Sequence, residues 1–386
     1  MTKHEHGVVA GLMEAAERVR GLTFTQPVAV HVEDAQAIQA YARAELRRDE
    51  VEVDRIVYVA LGLLPPSLDV EALLVRLLGE QVLGYYDARE ERLVVREDVM
   101  RGFAETHSWR GAEDVLLHEL VHAQQDQHFH LGESLDRERS TDAENAFRAL
   151  VEGDATLAML GLGMEREGMP LSEITRDPAF LRQIAEENPA TDSPELARAP
   201  AIIRVTMLSA YADGVAFAAH LHRRGGWKSV NRAHRAPPTT TETILHPGRH
   251  NPAPVEPGPL LIADPLSDMG FGHIKSDTLG ELEIGVYFSR GLPLREARRA
   301  ADGWNGDRLE VYRGPGGELA FAWLTHWDSE RDAHEAAAAA RSVVESEPPS
   351  VRPRCAVLRK ERRVLLLKGF DPQRLSNLAE LAMGST

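Results

Sequence analysis

Apolar residues recur at helical spacing over residues 8–20, which predicts an amphipathic helix. Val28, Val30 and Val32 alternate within Pro27 to Glu33 and predict a strand. A helix over 35–48 starts at the capping candidate Asp34, and another over 69–80 follows the Pro65-Pro66 break. Two β-rich runs, Gln81 to Asp87 and Leu93 to Val95, flank a short polar turn and predict a hairpin. A further helix, over 112–127, starts after the N-cap candidate Ser108, with Glu113 and Asp114 in the first turn, where the helix dipole favours acids. A second long helix covers 141–162. Pro170 to Pro200 is a looser helical stretch. A helix over 200–223 ends at Gly225-Gly226.

Residues 236–270 are rich in proline and glycine and have little periodicity, so they read as a long ordered loop or a boundary, with a loop over the active region favoured. Beyond them the pattern predicts helices over 274–290 and 293–302. Strands over 308–313 and 318–326, a helix over 329–345, strands over 353–359 and 362–368, and a helix over 372–383 complete a ββαββα unit. The expected fold class is α+β: a mainly helical domain over 1–270 with a small β-hairpin or sheet, and a C-terminal α+β domain over 271–386.

The chain has 386 residues, 43% hydrophobic and 27% charged, as expected of a globular protein with ample core material. Its net charge is −16, from 60 acidic and 44 basic side chains. Such a surface repels phosphate backbones, so no nucleic-acid partner is expected. Cys355 is the only cysteine, which rules out an intramolecular disulfide and a cysteine-built metal site. The longest apolar stretch, Ala201 to Leu221, is interrupted by Arg204, Asp213 and His220, and reads as too short and too polar for a membrane span. The first twenty residues show no signal peptide, so the chain as written is expected in the cytoplasm; the alternative is export with the leader absent from this sequence.

The chemistry concentrates in His118-Glu119-Leu120-Val121-His122. A helix stacks residues i and i+4, so both imidazoles can serve one metal ion, with Glu119 beside them in reach of a metal-polarised water. On the helical wheel Leu116, Leu117, Leu120 and Val121 form one apolar arc. His118, Glu119 and His122 lie opposite, with Val115 and Asp126. A catalytic zinc usually has three protein ligands and an open position. Three residues compete for the third place. Glu152 lies in Ala149-Leu-Val-Glu-Gly-Asp-Ala155 with small neighbours, which would let its helix approach closely. His128 stands at the metzincin spacing, but Gln125 occupies that motif's turning glycine. Glu144 has Arg148 one turn away. Asp126 is a candidate to orient a ligating ring. Asp154 points away from Glu152 on a straight helix. His246 and Tyr211 are the candidates for stabilising a developing oxyanion. The Gly84-Tyr85-Tyr86-Asp87 hairpin could offer an edge strand to an extended peptide.

The motif region resembles a family of poorly characterised bacterial metallopeptidases of gluzincin type. The resemblance rests on Gly84-Tyr-Tyr-Asp87, Leu117-His-Glu-Leu-Val-His-Ala-Gln-Gln-Asp-Gln-His-Phe129 and Ala149-Leu-Val-Glu-Gly-Asp-Ala155. Pro238-Thr-Thr-Thr-Glu-Thr-Ile-Leu-His-Pro247, with Thr243 where Gln is more usual, and Ala301-Asp-Gly-Trp-Asn-Gly-Asp-Arg308 extend it. The resemblance implies a zincin-like domain, a bound Zn2+ held by His118, His122 and Glu152, Glu119 as general base, and a peptide or protein substrate. The competing expectations are a zinc-binding latent or interaction protein with an occluded cleft, and a non-metal structural protein.

Overall fold

The computed structural model describes residues 2–45, 48–81, 83–105, 110–135, 137–186, 194–249 and 253–384. The chain opens with α1 (Lys3–Arg20), β1 (Ala29–Glu33), α2 (Ala35–Glu45), α3 (Arg48–Leu61), α4 (Val70–Gln81), β2 (Gly84–Asp87), β3 (Arg92–Arg96) and α5 (Glu97–Glu105). The motif helix α6 (Arg110–Phe129) and the short α7 (Leu131–Leu135) lead into the long α8 (Thr141–Arg166). Next come α9 (Pro178–Glu186), α10 (Pro194–Arg198), α11 (Ala201–Gly225), α12 (Trp227–Arg235), α13 (Thr241–Leu245) and α14 (Ala263–Asp268). The C-terminal part comprises β4 (Gly272–Asp277), α15 (Gly280–Phe288), α16 (Leu294–Ala301), β5 (Trp304–Arg313), β6 (Leu319–Trp327), α17 (Glu330–Ser346), β7 (Cys355–Lys360), β8 (Arg363–Lys368) and α18 (Leu375–Gly384). The fold is α+β, mainly helical, with two small sheets.

The first sheet has the order β1-β3-β2, with β1 parallel and β2 antiparallel to β3. Leu93 and Val95 of β3 pack into a core with Leu116, Leu117, Leu120 and Val121 of α6 and with Ala155, Ala158 and Leu162 of α8. Those four α6 side chains are at most 1% exposed. Each stabilises the fold by roughly 1.5–3 kcal/mol through the apolar area it removes from water. The apolar arc of the wheel is thus the anchor that fixes which way His118 and His122 face.

The second sheet has the order β4-β5-β6-β8-β7 and is antiparallel throughout. Period-2 alternation splits its residues between two cores. Leu309, Val311, Phe321, Trp323, Val364 and Leu366 join α15 and α17, together with Val57 and Leu61 of α3 and Ile202 of α11. Tyr312, Ala322, Leu324, Leu365 and Leu367 join α18 on the other face. The largest core therefore draws residues from both sides of position 270.

Several expectations differ from this architecture. The helix expected over 274–290 is two elements, β4 and α15. β4 is an edge strand with a register shift between His273 and Lys275 and largely exposed side chains, so it lacks the alternation that marks a buried strand. Helices α3, α5 and α12 go beyond the expected elements. Among the described residues the 236–270 segment is not one unbroken loop. It contains α13 and α14, and its Leu260, Ile262 and Leu266 fill the core under α18. Ser108 lies outside the described residues. At 25 residues α11 is long enough to cross a membrane, contrary to the reading of its length, and its most apolar window has a mean hydropathy of 1.3. That window is 56% buried inside the fold, and Ala212, Val215, Ala218 and Ala219 pack against Leu157 and Leu181 as in a core helix.

Candidate metal centre

His118 and His122 project from one face of α6, one turn apart, and meet Glu152 from α8. His118 Nε2 lies 3.1 Å from His122 Nε2 and 3.1 Å from Glu152 Oε2. His122 Nε2 lies 3.6 Å from the same oxygen. An ion held at about 2.0–2.1 Å in tetrahedral geometry separates its ligand atoms by about 3.3 Å. The triangle has the size such an ion requires, and two imidazole nitrogens facing each other this closely cannot both carry a proton. His118, Glu119 and His122 also form a buried group whose ligating atoms lie within 4.8 Å of one another and could hold a metal ion. The donor set, imidazole nitrogens with a carboxylate oxygen, fits a divalent cation such as zinc.

The second ring nitrogen of His122 is also engaged. Nδ1 lies 2.8 Å from Gln125 Oε1. The Gln125 amide nitrogen donates to Val151 O and to Asp154 Oδ2, both at 3.0 Å, which fixes the orientation of the amide. Gln125 Oε1 therefore accepts from Nδ1–H and leaves Nε2 free to face the triangle. Asp154 in turn is fully buried with Arg20 (Nε to Oδ1, 2.6 Å) and His234 (Nε2 to Oδ2, 2.8 Å). Burial alone would raise the Asp154 carboxyl, but Arg20 and His234 outweigh it and hold the group well below the usual carboxylate range. Burial works against the charge of Glu152 in the same way and is outweighed by His122 and His118, so its acidity is also strengthened. For His122 burial opposes the proton, but the facing Glu152 raises the ring to about 9. A metal ion would replace that proton.

Glu119 is positioned by the hairpin. Its Oε2 accepts the backbone N–H of Tyr86 in β2 at 3.0 Å. The Tyr86 hydroxyl donates to Asp126 Oδ2 at 2.9 Å, one turn beyond His122. Gly84 lets β2 lie this close: a Cβ there would sit 2.8 Å from the Val94 carbonyl oxygen and 3.3 Å from Leu116. Burial raises the Glu119 carboxyl above its ordinary range, partly offset by the two imidazoles.

Tyr211 of α11 joins the group. Its ring centroid lies 6.2 Å from that of His118, and Glu152 stands close enough to act on its phenol. The Glu152 carboxylate, and then burial, raise the phenol well above its ordinary value, so it stays a donor. Glu152 and Tyr211 are the more exposed members, Tyr211 at 38%, and mark the side open to solvent.

The other candidates lie elsewhere. His246 is not at this centre; its Nε2 pairs with Glu281 at 2.8 Å. His128 turns to the Thr23 carbonyl oxygen at 2.7 Å, because α6 continues through it. Glu144 pairs with Arg148 and Arg139. Asp126 receives Tyr86 and the Gly132 N–H rather than a histidine ring. The sequence reading missed Gln125, Arg20 and His234. Gln125 was visible only as the residue that replaces a metzincin glycine.

Fold and site together define an α+β protein with a buried His/Glu/His group able to hold a metal ion. Residues 267–379 match the model of a domain of unknown function (DUF8575), which lies outside the metal centre. No curated protein matches the chain. Among solved structures the chain is similar to a protein from Chloroflexus aurantiacus described as a candidate hydrolase with a novel fold, at 19% identity and a TM-score of 0.40, over 64% of this chain and 87% of that one.

Proposed function

We propose that this chain is a zinc-dependent peptidase of gluzincin type, with a zincin-like domain over 1–270 and a distinct C-terminal domain over 271–386. The observation that carries the reading is the triangle of His118 Nε2, His122 Nε2 and Glu152 Oε2 beside a positioned Glu119. A zinc ion held by these three residues would supply Lewis acidity toward water and the scissile carbonyl. Glu119, anchored through Tyr86 N–H, takes the proton of the attacking water and delivers it to the leaving amine. Tyr211 keeps its proton and donates to the oxygen on which negative charge develops. β2 is an edge of its sheet and carries the Tyr86 N–H that Glu119 accepts; its remaining edge suits strand pairing with an extended peptide.

The test is zinc content together with hydrolysis of casein or a peptide library. Zinc-loaded wild type should cleave, and Glu119→Gln should keep its zinc while losing about 10²- to 10⁴-fold in rate. Equal activity of the two proteins sinks the mechanism. A latent or interaction protein is a second reading, favoured by the burial of His118 and His122, which are 8% and 9% exposed. Zinc-loaded wild type without hydrolysis of any peptide would support it.

A further inference from the structure

A second cluster takes no part in the peptidase chemistry. His246 follows α13, Glu281 lies at the start of α15 and Asp302 follows α16. His246 Nε2 is 2.8 Å from Glu281 Oε1 and 3.9 Å from Asp302 Oδ1. The ligating atoms of the three residues all lie within 4.8 Å of one another. Three separate elements thus bring one imidazole and two carboxylates to a common point.

An independent observation concerns the second oxygen of Glu281. The residue is 4% exposed, and Oε2 is buried with no hydrogen-bond partner. Oε2 shares its carbon with Oε1, the oxygen that meets His246. A buried acceptor left unsatisfied is unfavourable, and a cation satisfies it. Further carboxylates stand close by. Burial raises the Glu281 carboxyl, and burial together with the Glu281 and Asp328 carboxylates pushes neighbouring Glu242 up to about 7. Arg249 grips both oxygens of Asp302. A cleft of about 810 Å³, lined by Arg249, Asp302, Asp328 and Arg331 among others, opens beside Asp302 and gives a hydrated ion access.

We propose that His246, Glu281 and Asp302 form a second binding site, for a divalent transition-metal cation, separate from the His118 centre. An imidazole with two carboxylates suits zinc or manganese; calcium demands six to eight oxygens, more than the cluster offers. The grip of Arg249 on Asp302 is the outer hydrogen bonding that orients a ligating carboxylate. On binding, Nε2 gives up the proton it shares with Glu281, and the ion takes that proton's place between the two groups.

Chelator-stripped protein is loaded with Zn2+ and, in parallel, with Mn2+, and bound metal is counted by elemental analysis after gel filtration. Wild type should hold two equivalents of zinc. His246→Ala and Glu281→Gln should each hold one, and His118→Ala/His122→Ala should also hold one. A single equivalent in wild type that survives His246→Ala overturns the proposal. If the His246 and Glu281 variants do not fold, the double variant decides: one equivalent supports the second site, and none overturns it. If the double variant binds as wild type does while His246→Ala loses an equivalent, the peptidase centre fails and the second site stands.

Discussion

Gly153 of α8 and Gly214 of α11 touch backbone to backbone. A Cβ on Gly153 would sit 2.1 Å from the Gly214 carbonyl carbon, and one on Gly214 would sit 2.3 Å from the Ala149 oxygen. No side chain fits between these helices, so their axes close up. Tyr211 on α11 is thereby brought onto Glu152, the neighbour of Gly153 on α8. Gly153→Ala forces backbone apart and should cost about 1–3 kcal/mol as an overpacked core change. It should also weaken zinc binding by displacing Glu152. Gly163→Ala on the same helix meets nothing within 4 Å. It should stabilise by about 0.5–1 kcal/mol, because alanine holds a helix better than glycine. Thermal melts of the two variants check the contrast. Equal effects would mean that the close approach does not matter.

Gln125 is the residue through which the fold orients His122. Its amide is fixed by Val151 O and Asp154, so its oxygen can only receive the Nδ1 proton. Gln125→Leu keeps the size of the side chain and removes that acceptor. Zinc affinity of the folded protein, measured by competition with a chromophoric chelator, should fall about 10- to 100-fold. Unchanged affinity would show that the ring needs no such guide.

Asp154 supports the same chain from behind. It is buried with Arg20, which is also fully buried, and with His234. Asp154→Asn leaves the Arg20 guanidinium in the core without its counter-charge. Breaking a buried pair in this way costs about 3–5 kcal/mol. Denaturant unfolding should show a loss of that order, together with weaker zinc binding through Gln125. A loss below about 1 kcal/mol would mean that solvent reaches Arg20.

The motif helix was legible because its apolar arc and its His/Glu arc separate on one short stretch. The hairpin was legible from its turn residues and alternation. Asp154 shows where sequence reading stops. Glu152 and Asp154 stand two residues apart on α8, a spacing that implies opposite directions. Yet both act on the histidines, Glu152 directly and Asp154 through Gln125. The partners of Asp154 stand 134 and 80 residues away, and no local pattern encodes such pairings. β4 was misread for a related reason: an edge strand exposes its side chains, and its identity rests on pairing with β5. The division at 270/271 is a proposal that leans on the change in pattern there, while the largest core joins both parts.

Asp142 gives the fold a pH dependence. It is 1% exposed at the start of α8, where Oδ1 accepts the Thr241 N–H and hydroxyl. Burial pushes its carboxyl from the ordinary 3.8 up to about 8, because the Thr241 bonds only partly offset the lost hydration. The folded state therefore holds a proton that the unfolded chain releases near pH 4. Stability from this group is full below that pH and declines as pH rises toward about 8, by at most about 1.4 kcal/mol per unit. Buried Glu283, raised to about 8 by the same cause, adds to the trend. Asp142→Asn keeps the acceptor for Thr241 and carries no titrating proton. Its unfolding free energy should exceed that of wild type at pH 8, and the decline between pH 5 and pH 8 should flatten. Denaturant melts across that range decide the matter: parallel curves for wild type and variant would mean that Asp142 is ionised in the folded protein.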